Sequence, residues 1–410
     1  MSEFDSIRPY GNDEVRAVVD RLVGNTELRQ LVAELVLPRL SALAPRIARF
    51  CAGRLMRWRA RGIRTVLDFQ LQIGRYLDVV IRSTIDELTV TGLERLDSKG
   101  AYLFISNHRD IVLDSGLINV LIYEHGFDTC QLAVGDNLFS NPIAADVMRL
   151  NKGFMVERQV TGTRAVLAAL TRTARYIRQS LESGESVWLA QRGGRAKDGF
   201  DRTDPALVKM LGLAFRKEIP RLGVLPQRLT IVPVAISYEF DPSDALKARE
   251  LKALADSGHY EKADGEDLGS IAAGIRGPKG RVHVHFGTPL EALPEDAEDE
   301  PRQLAEAIDQ QIVAGLRLFD INREAAKRLA SSAGDTPAQE WLNQLELDAL
   351  AMPDSGASSS LTARLDALPV ELHPWLLTQY ANVLRNKLEL LSGSQIEVQD
   401  DPAHANASAL

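Results

Sequence analysis

The chain has 410 residues, 45% of them hydrophobic, with 48 Lys and Arg against 56 Asp and Glu, a formal net charge of -8 and a pI near 5.5. That composition supports a full core and, by length, two or three structural units, which excludes a disordered chain. With no global positive field to hold a phosphate backbone, a nucleic-acid partner is not expected.

The start, MSEFDSIRPYGNDEVR, lacks a basic region followed by an apolar stretch, so no signal peptide is expected and the protein is read as cytoplasmic. Residues 13 to 85 read as helices. Val15, Val18, Val19 and Leu22 recur at three- and four-residue spacing, and Leu31, Val32, Leu35 and Val36 continue the pattern. No run reaches the roughly 18 apolar residues that a membrane-crossing helix needs. Even LVAELVLPRLSALAPRIARF is broken by Glu34, three Args and two Pros. Membrane contact is therefore expected to be peripheral, at the inner face. RIARFCAGRLMRWRARGIR, residues 46–64, carries seven Args and no acid, interleaved with Ile47, Phe50, Leu55, Met56 and Trp58. On a helix this is a basic amphipathic surface suited to anionic headgroups. The alternative is a packed helix whose Args pair with the acidic remainder of the protein. Cys51 and Cys130 stand far apart without a CxxC or metal spacing, which fits a reducing compartment and no disulfide framework.

Between residues 88 and 290 short β-rich runs alternate with helical stretches. LTVTGLE, AYLFIS, QLAVG, GFMVE, SVWLAQ, TIVPVAISYE and RVHVHFG read as strands, and Asp136–Leu150, Thr163–Glu182 and Pro205–Lys217 as helices between them. The pattern predicts an α/β domain at 86–290, a sheet covered by helices, between a helical N-terminal region at 1–85 and a helical C-terminal region at 291–395. Residues 396–410, ending in QDDPAHANASAL, read as a disordered tail.

Within that domain SNHRDIVLDS, residues 106–115, follows an apolar strand directly. A His just beyond a buried strand sits where α/β folds build active sites. Asp114 could hold the imidazole, fixing its tautomer and raising the basicity of the other nitrogen. Asp110 could do this instead, or cap a helix beginning near Ile111; the plain alternative is a helix cap with a structural His. NKGFMVER, residues 151–158, places Gly153 and Arg158 around a short strand. QRGGRAKDG, residues 191–199, follows an apolar run with two glycines, then Arg195 and Lys197. Glycines let a backbone approach an anion closely, and an Arg can hold a phosphate by two parallel hydrogen bonds; a solvated basic turn is the alternative. IVPVAISYE, residues 231–239, is a buried strand whose Pro233 interrupts the ladder, predicting a position near an edge or bulge.

These four segments, in this order, resemble the signature blocks of the glycerolipid acyltransferases, the group containing glycerol-3-phosphate and lysophosphatidate acyltransferases. Block one of that family is a His, four residues and an Asp; NHRDIVLD is similar through His108 and Arg109, with five residues between His108 and Asp114. Block two is matched by Gly153, Phe154 and Arg158. Block three, usually Glu-Gly followed closely by Arg, is matched by Gly194 and Arg195, with Arg192 or Gly193 where the glutamate usually stands. Block four resembles VPVAISYE, and VHFGTPL resembles the strand and turn that commonly close the domain. The resemblance covers residues 85 to 290 and implies a mixed sheet covered by helices. On a rigid helix the extra residue between His108 and Asp114 would turn the Asp by about 100°, which a loop or the use of Asp110 would repair.

The resemblance implies His108 as base for an alcohol, oriented by Asp114, and Arg109, Gly153, Arg158, Gly194, Arg195 and Lys197 around the substrate and its phosphate. The acyl donor would be acyl-CoA or acyl-carrier protein, with no covalent acyl-enzyme, no cofactor and no metal. The acceptor would be lysophosphatidate or a related lysophospholipid. Glycerol-3-phosphate is the alternative, suggested by Arg109 and the double glycine. The remaining reading is a catalytically silent lipid-binding relative. His283 and His285, two apart on a strand, would face one side, but they lack a carboxylate or Cys partner and are not expected to bind a metal. His125, His259, His373 and His404 have no assigned role.

Overall fold

A computed structural model of the chain describes residues 3–260, 266–331 and 356–392. By compactness the chain divides into two units, each interrupted: Met1–Val79 with Cys130–Gln179, and Val80–Thr129 with Ser180–Leu410.

The first unit opens with the expected helices: α1 (Asn12–Gly24), α2 (Thr26–Val36), α3 (Pro38–Leu43), α4 (Pro45–Ala60) and α5 (Val66–Thr84). Asn25 caps α2 by accepting from the Leu28 N–H, and Pro38 and Pro45 start α3 and α4, where a missing N–H is harmless. Val15, Val18, Val19, Leu22 and Val23 of α1 pack with Ala60, Ile63, Val66, Phe69 and Leu150 into one core. The outer face of α4 is different. Ile47, Phe50 and Trp58, at helical spacing with Arg54, are each more than half exposed, and Leu31 and Val36 of α2 are exposed too. Arg59 donates to the Tyr76 hydroxyl at 3.0 Å, and among the described residues no carboxylate pairs with any of the seven Args at 46–64. One face of the helix is packed, with Ala48 and Ala52 buried against Ala33, so of the packed, ion-paired alternative only the packing is found among the described residues. Among the described residues no helix is long and apolar enough to cross a membrane.

The same unit contains β3 (Gln131–Gly135), α7 (Pro142–Leu150), β4 (Gly153–Val156) and α8 (Thr163–Glu182), with β3 and β4 parallel. The single helix expected at 136–150 is a 3₁₀ turn followed by α7, because Asn141 caps and Pro142 starts a new helix.

The second unit carries five strands in the order β1 (Ile85–Thr91), β7 (Gly280–Phe286), β6 (Ile231–Tyr238), β2 (Leu103–Ser106) and β5 (Val187–Ala190). All neighbours are parallel except β6 and β7, which run antiparallel, so the α/β reading with mixed strands holds. Every residue of β2 and β6 is buried, as expected of strands covered on both faces. Pro233 lies on central β6, not on an edge. Its carbonyl accepts from the Gly287 N–H, the first residue past β7. The donor that proline lacks falls at the last rung of that pairing, where little of the ladder is lost.

Between the strands lie α6 (Leu113–Glu124), α9 (Pro205–Gly212), α10 (Asp244–Ser257) and α11 (Glu266–Arg276); α9 stops at Gly212, short of the expected Lys217. After β7 come α12 (Glu300–Gly315), α13 (Asp320–Ser331), α14 (Ala357–Asp366) and α15 (His373–Ser392). α10, α13, α14 and α15 close a second core around Ile321, Leu329, Leu361, Leu376 and Tyr380. The tail expected at 396–410 lies outside the described residues.

Candidate active site

The chain leaves β2 at Ser106, and residues 107–112 are neither strand nor helix before α6 begins at Leu113. Asn107 governs this exit. Its side-chain carbonyl accepts from the Ile236 N–H at 2.8 Å and its amide donates to the Ile236 carbonyl at 3.0 Å, so a side chain prolongs the pairing with β6 where the backbone has turned away.

The loop then presents His108, whose Nδ1 lies 2.8 Å from Asp114 Oδ2. An ionised carboxylate only accepts, so Nδ1 carries the proton and Nε2 offers its lone pair. The non-helical backbone absorbs the additional residue that would have misaligned a rigid helix. The same Asp114 oxygen accepts from the Arg109 N–H at 2.6 Å and the Asp110 N–H at 2.9 Å. The other oxygen accepts from the Tyr238 hydroxyl at 2.8 Å. Burial pushes the Asp114 carboxyl up, but the His108 hydrogen bond and charge and the two backbone donors outweigh it and hold the pKa below the usual value. Tyr238 is driven well above its usual value, by burial first and then by the Asp114 and Asp110 charges. The His108 ring meets Trp188 edge to face with centroids 5.8 Å apart, and the Trp188 N–H donates to the Ser106 hydroxyl at 2.9 Å.

Asp110 takes the capping role. Its Oδ1 accepts from the Val112 and Leu113 N–H groups at 3.0 and 2.8 Å. Burial and the nearby Asp114 raise its pKa.

Arg109, expected at the substrate, is buried instead. It donates to Asp201 at 2.5 Å and to the Gly199 carbonyl at 3.2 Å, which ties block one to block three. Lys197 is also spoken for, ion-paired with the buried Glu250 of α10. Arg195 is placed differently. The adjoining Ala196 N–H donates to the His108 carbonyl at 2.7 Å. One Arg195 terminal nitrogen donates to the Ser270 hydroxyl at 3.3 Å, while the other is buried without a partner among the described residues. Gly194, directly before it, takes a φ of +77°. Arg192, which with Gly193 stands where the family's glutamate usually does, lies 3.6 Å from Asp198.

Gly153 and Arg158 belong to the other unit. A Cβ on Gly153 would come within 2.7 Å of the Met148 carbonyl, so this glycine lets β4 start hard against the end of α7. Arg158 is exposed, with its N–H donating to Asp136 at 2.9 Å.

Residues 87–237 match the Acyltransferase family model. The match takes in less than half of the chain. The matched region contains blocks one to three and most of block four, but none of α10 to α15. Among solved structures the chain is similar to "Crystal Structure of the 1-acyl-sn-glycerophosphate (LPA) acyltransferase, PlsC, from Thermotoga maritima", at 17% identity, covering 69% of this chain and 94% of that one, with a TM-score of 0.35. Among curated proteins none matches.

Three residues of the site escaped the sequence reading: Asn107, Asp201 and Tyr238. Asn107 and Tyr238 stood inside the quoted blocks, and Asp201 two residues beyond block three. Each bonds to a partner distant in sequence, which no local pattern reveals. On β7, the His283 and His285 ring nitrogens bond to the Thr89 and Thr91 hydroxyls, and among the described residues no cluster of three His, Cys, Asp or Glu could hold a metal ion.

Proposed function

We propose that the protein is an O-acyltransferase that moves a fatty acyl group from an acyl thioester to a hydroxyl of lysophosphatidate or a related glycerophospholipid. The observation that carries this reading is the His108–Asp114 pair at 2.8 Å on the end of β2, inside an acyltransferase domain. His108 Nε2 takes the proton of the acceptor hydroxyl while that oxygen attacks the thioester carbonyl. Asp114 stabilises the resulting imidazolium. Collapse of the tetrahedral adduct forms the ester, breaks the carbon–sulfur bond, and returns the proton from His108 to the thiolate. The products are an ester and a free thiol. Arg195, whose chain neighbour Ala196 bonds to the His108 carbonyl, holds the acceptor phosphate. The donor is acyl-CoA or acyl-carrier protein.

The reading includes a peripheral membrane location at the inner face, since product and acceptor both partition into lipid. The exposed Ile47, Phe50 and Trp58 among the unpaired Args of α4 supply the apolar and basic halves of such a contact.

Thiol release from a long-chain acyl-CoA, with lysophosphatidate and glycerol-3-phosphate offered separately, tests the proposal beside His108→Ala and Asp114→Ala. Acceptor-dependent release lost in both variants is the expected result and identifies the acceptor. No release from the wild-type protein with either donor, alongside retained lipid binding, would leave the silent lipid-binding reading in its place.

A further inference from the structure

α15 lies far outside the acyltransferase match, yet it presents two faces. Leu376, Leu377, Tyr380, Ala381 and Leu384 bury the apolar one in the C-terminal core. The other is a stripe of amides, Gln379, Asn382 and Asn386, at helical spacing. The Asn382 amide donates to the Asp198 carbonyl at 2.9 Å and the Asn386 amide to the Asp201 carbonyl at 3.3 Å. Gly199 takes a φ of +88°, and a Cβ there would stand 2.0 Å from the Gln379 carbonyl, so backbone meets backbone. The Arg385 guanidinium lies 5.3 Å from the centre of the Phe200 ring. Every residue from 198 to 201 is thus gripped by this one helix.

The inward side of the same segment grips the catalytic loop. Asp201 Oδ2 accepts from Arg109 at 2.5 Å and from the Asn107 amide at 3.2 Å, and the Gly199 carbonyl accepts from Arg109. Asn107 and Arg109 are the two neighbours of His108 in the chain, and the His108 carbonyl itself accepts from Ala196. Asp201 is wholly buried, so these bonds have no water competing for them.

We infer that α15, acting through residues 198–201, positions His108 for catalysis, with Asn382, Asn386 and Asp201 as positioning residues. The C-terminal region is then a working part of the active site rather than an appended domain. This rests on His108 being the catalytic base.

The test is Asn382→Ala with Asn386→Ala in the full chain, compared with each single variant. The expected result is a fall in kcat of about tenfold, with KM for acyl-CoA and for the acceptor unchanged within about twofold. In ¹⁵N-histidine-labelled protein, the ring signals assigned to His108 by their loss in His108→Ala move in the double variant. Should the double variant fold poorly, Asn386→Ala alone is read in the same two ways. Unchanged ring signals with unchanged kcat would overturn the inference, as would a lowered melting temperature as the sole effect. A wild-type protein that transfers no acyl group would sink the catalytic reading instead, and the ring signals would still report whether α15 holds His108.

Discussion

Replacing Tyr238 by phenylalanine deletes one hydroxyl behind the His108–Asp114 pair and leaves the ring in a fully buried strand. Asp114 Oδ1 then loses its hydrogen bond to Tyr238, while Oδ2 keeps the donors His108, Arg109 and Asp110. A hydrogen bond to a charged group contributes ~1.5–3 kcal/mol, and a buried oxygen has no water to replace it, so unfolding free energy at neutral pH should drop by about 2 kcal/mol. The loss has a pH signature. The Asp114 pKa is held below its unfolded value, so its contribution is present above about pH 4 and disappears as pH falls through the lower folded value. The difference between variant and wild type should therefore shrink as pH falls below the unfolded value of about 4. A carboxylate anchored on one side only lets the imidazole wander, so kcat should fall by about tenfold. Substrate KM should hold, because a buried Tyr238 touches no substrate. Urea unfolding at the two pH values, beside thiol release, measures all of this. A wild-type kcat would refute positioning through Asp114, and an unfolding difference that ignores pH would refute the charge-dependent argument.

Other consequences follow from the same geometry. Arg109→Met strands the buried Asp201 and should cost about 3–5 kcal/mol in denaturant unfolding, with much of it recovered by adding Asp201→Leu; a single variant as stable as wild type would remove the buried pair from the account. Asp309 of α12 accepts from the Thr203 backbone and hydroxyl, and burial raises its pKa to about 7. A carboxyl raised in the folded state favours folding fully below its unfolded pKa and loses that contribution as pH climbs to about 7. Asp309→Asn should accordingly melt higher than wild type at alkaline pH and show a flatter melting profile across that window. In α4, Arg46→Gln, Arg49→Gln and Arg57→Gln together should weaken flotation with anionic vesicles by about a hundredfold, at on the order of 1 kcal/mol per Arg, with neutral vesicles unaffected.

Much of this was visible in the sequence wherever one period dominated. The alternation of RVHVHF, the apolar run at 102–105 and the spacing of Val15, Val18, Val19 and Leu22 all became the elements they suggested, because burial on one face leaves a strand or helix little choice. The His108–Asp114 pairing was legible too, although the loop that accommodates its spacing was not. Misreadings arose where a residue's fate depends on distant chain. Arg109 read as a substrate contact and Lys197 as a phosphate contact, whereas Asp201 and Glu250 are the partners they find. Pro233 read as lying near an edge or bulge, yet a central strand tolerates it at a rung opposite the end of β7. α10 and α11 went unmarked because their polar composition hides the faces they bury.

The interrupted units bear on when the protein can become competent during synthesis. Residues 80–129 deliver His108 and Asp114 early, but their partners Asp201 and Tyr238 come from the later piece, after all of 130–179. A nascent chain therefore carries the His108–Asp114 pair without the Tyr238 hydrogen bond until the ribosome has passed Tyr238, and the hold from α15 comes only after Asn386 has been made. A protein truncated before α15 should lack the hold on residues 198–201 and turn over more slowly than the full chain.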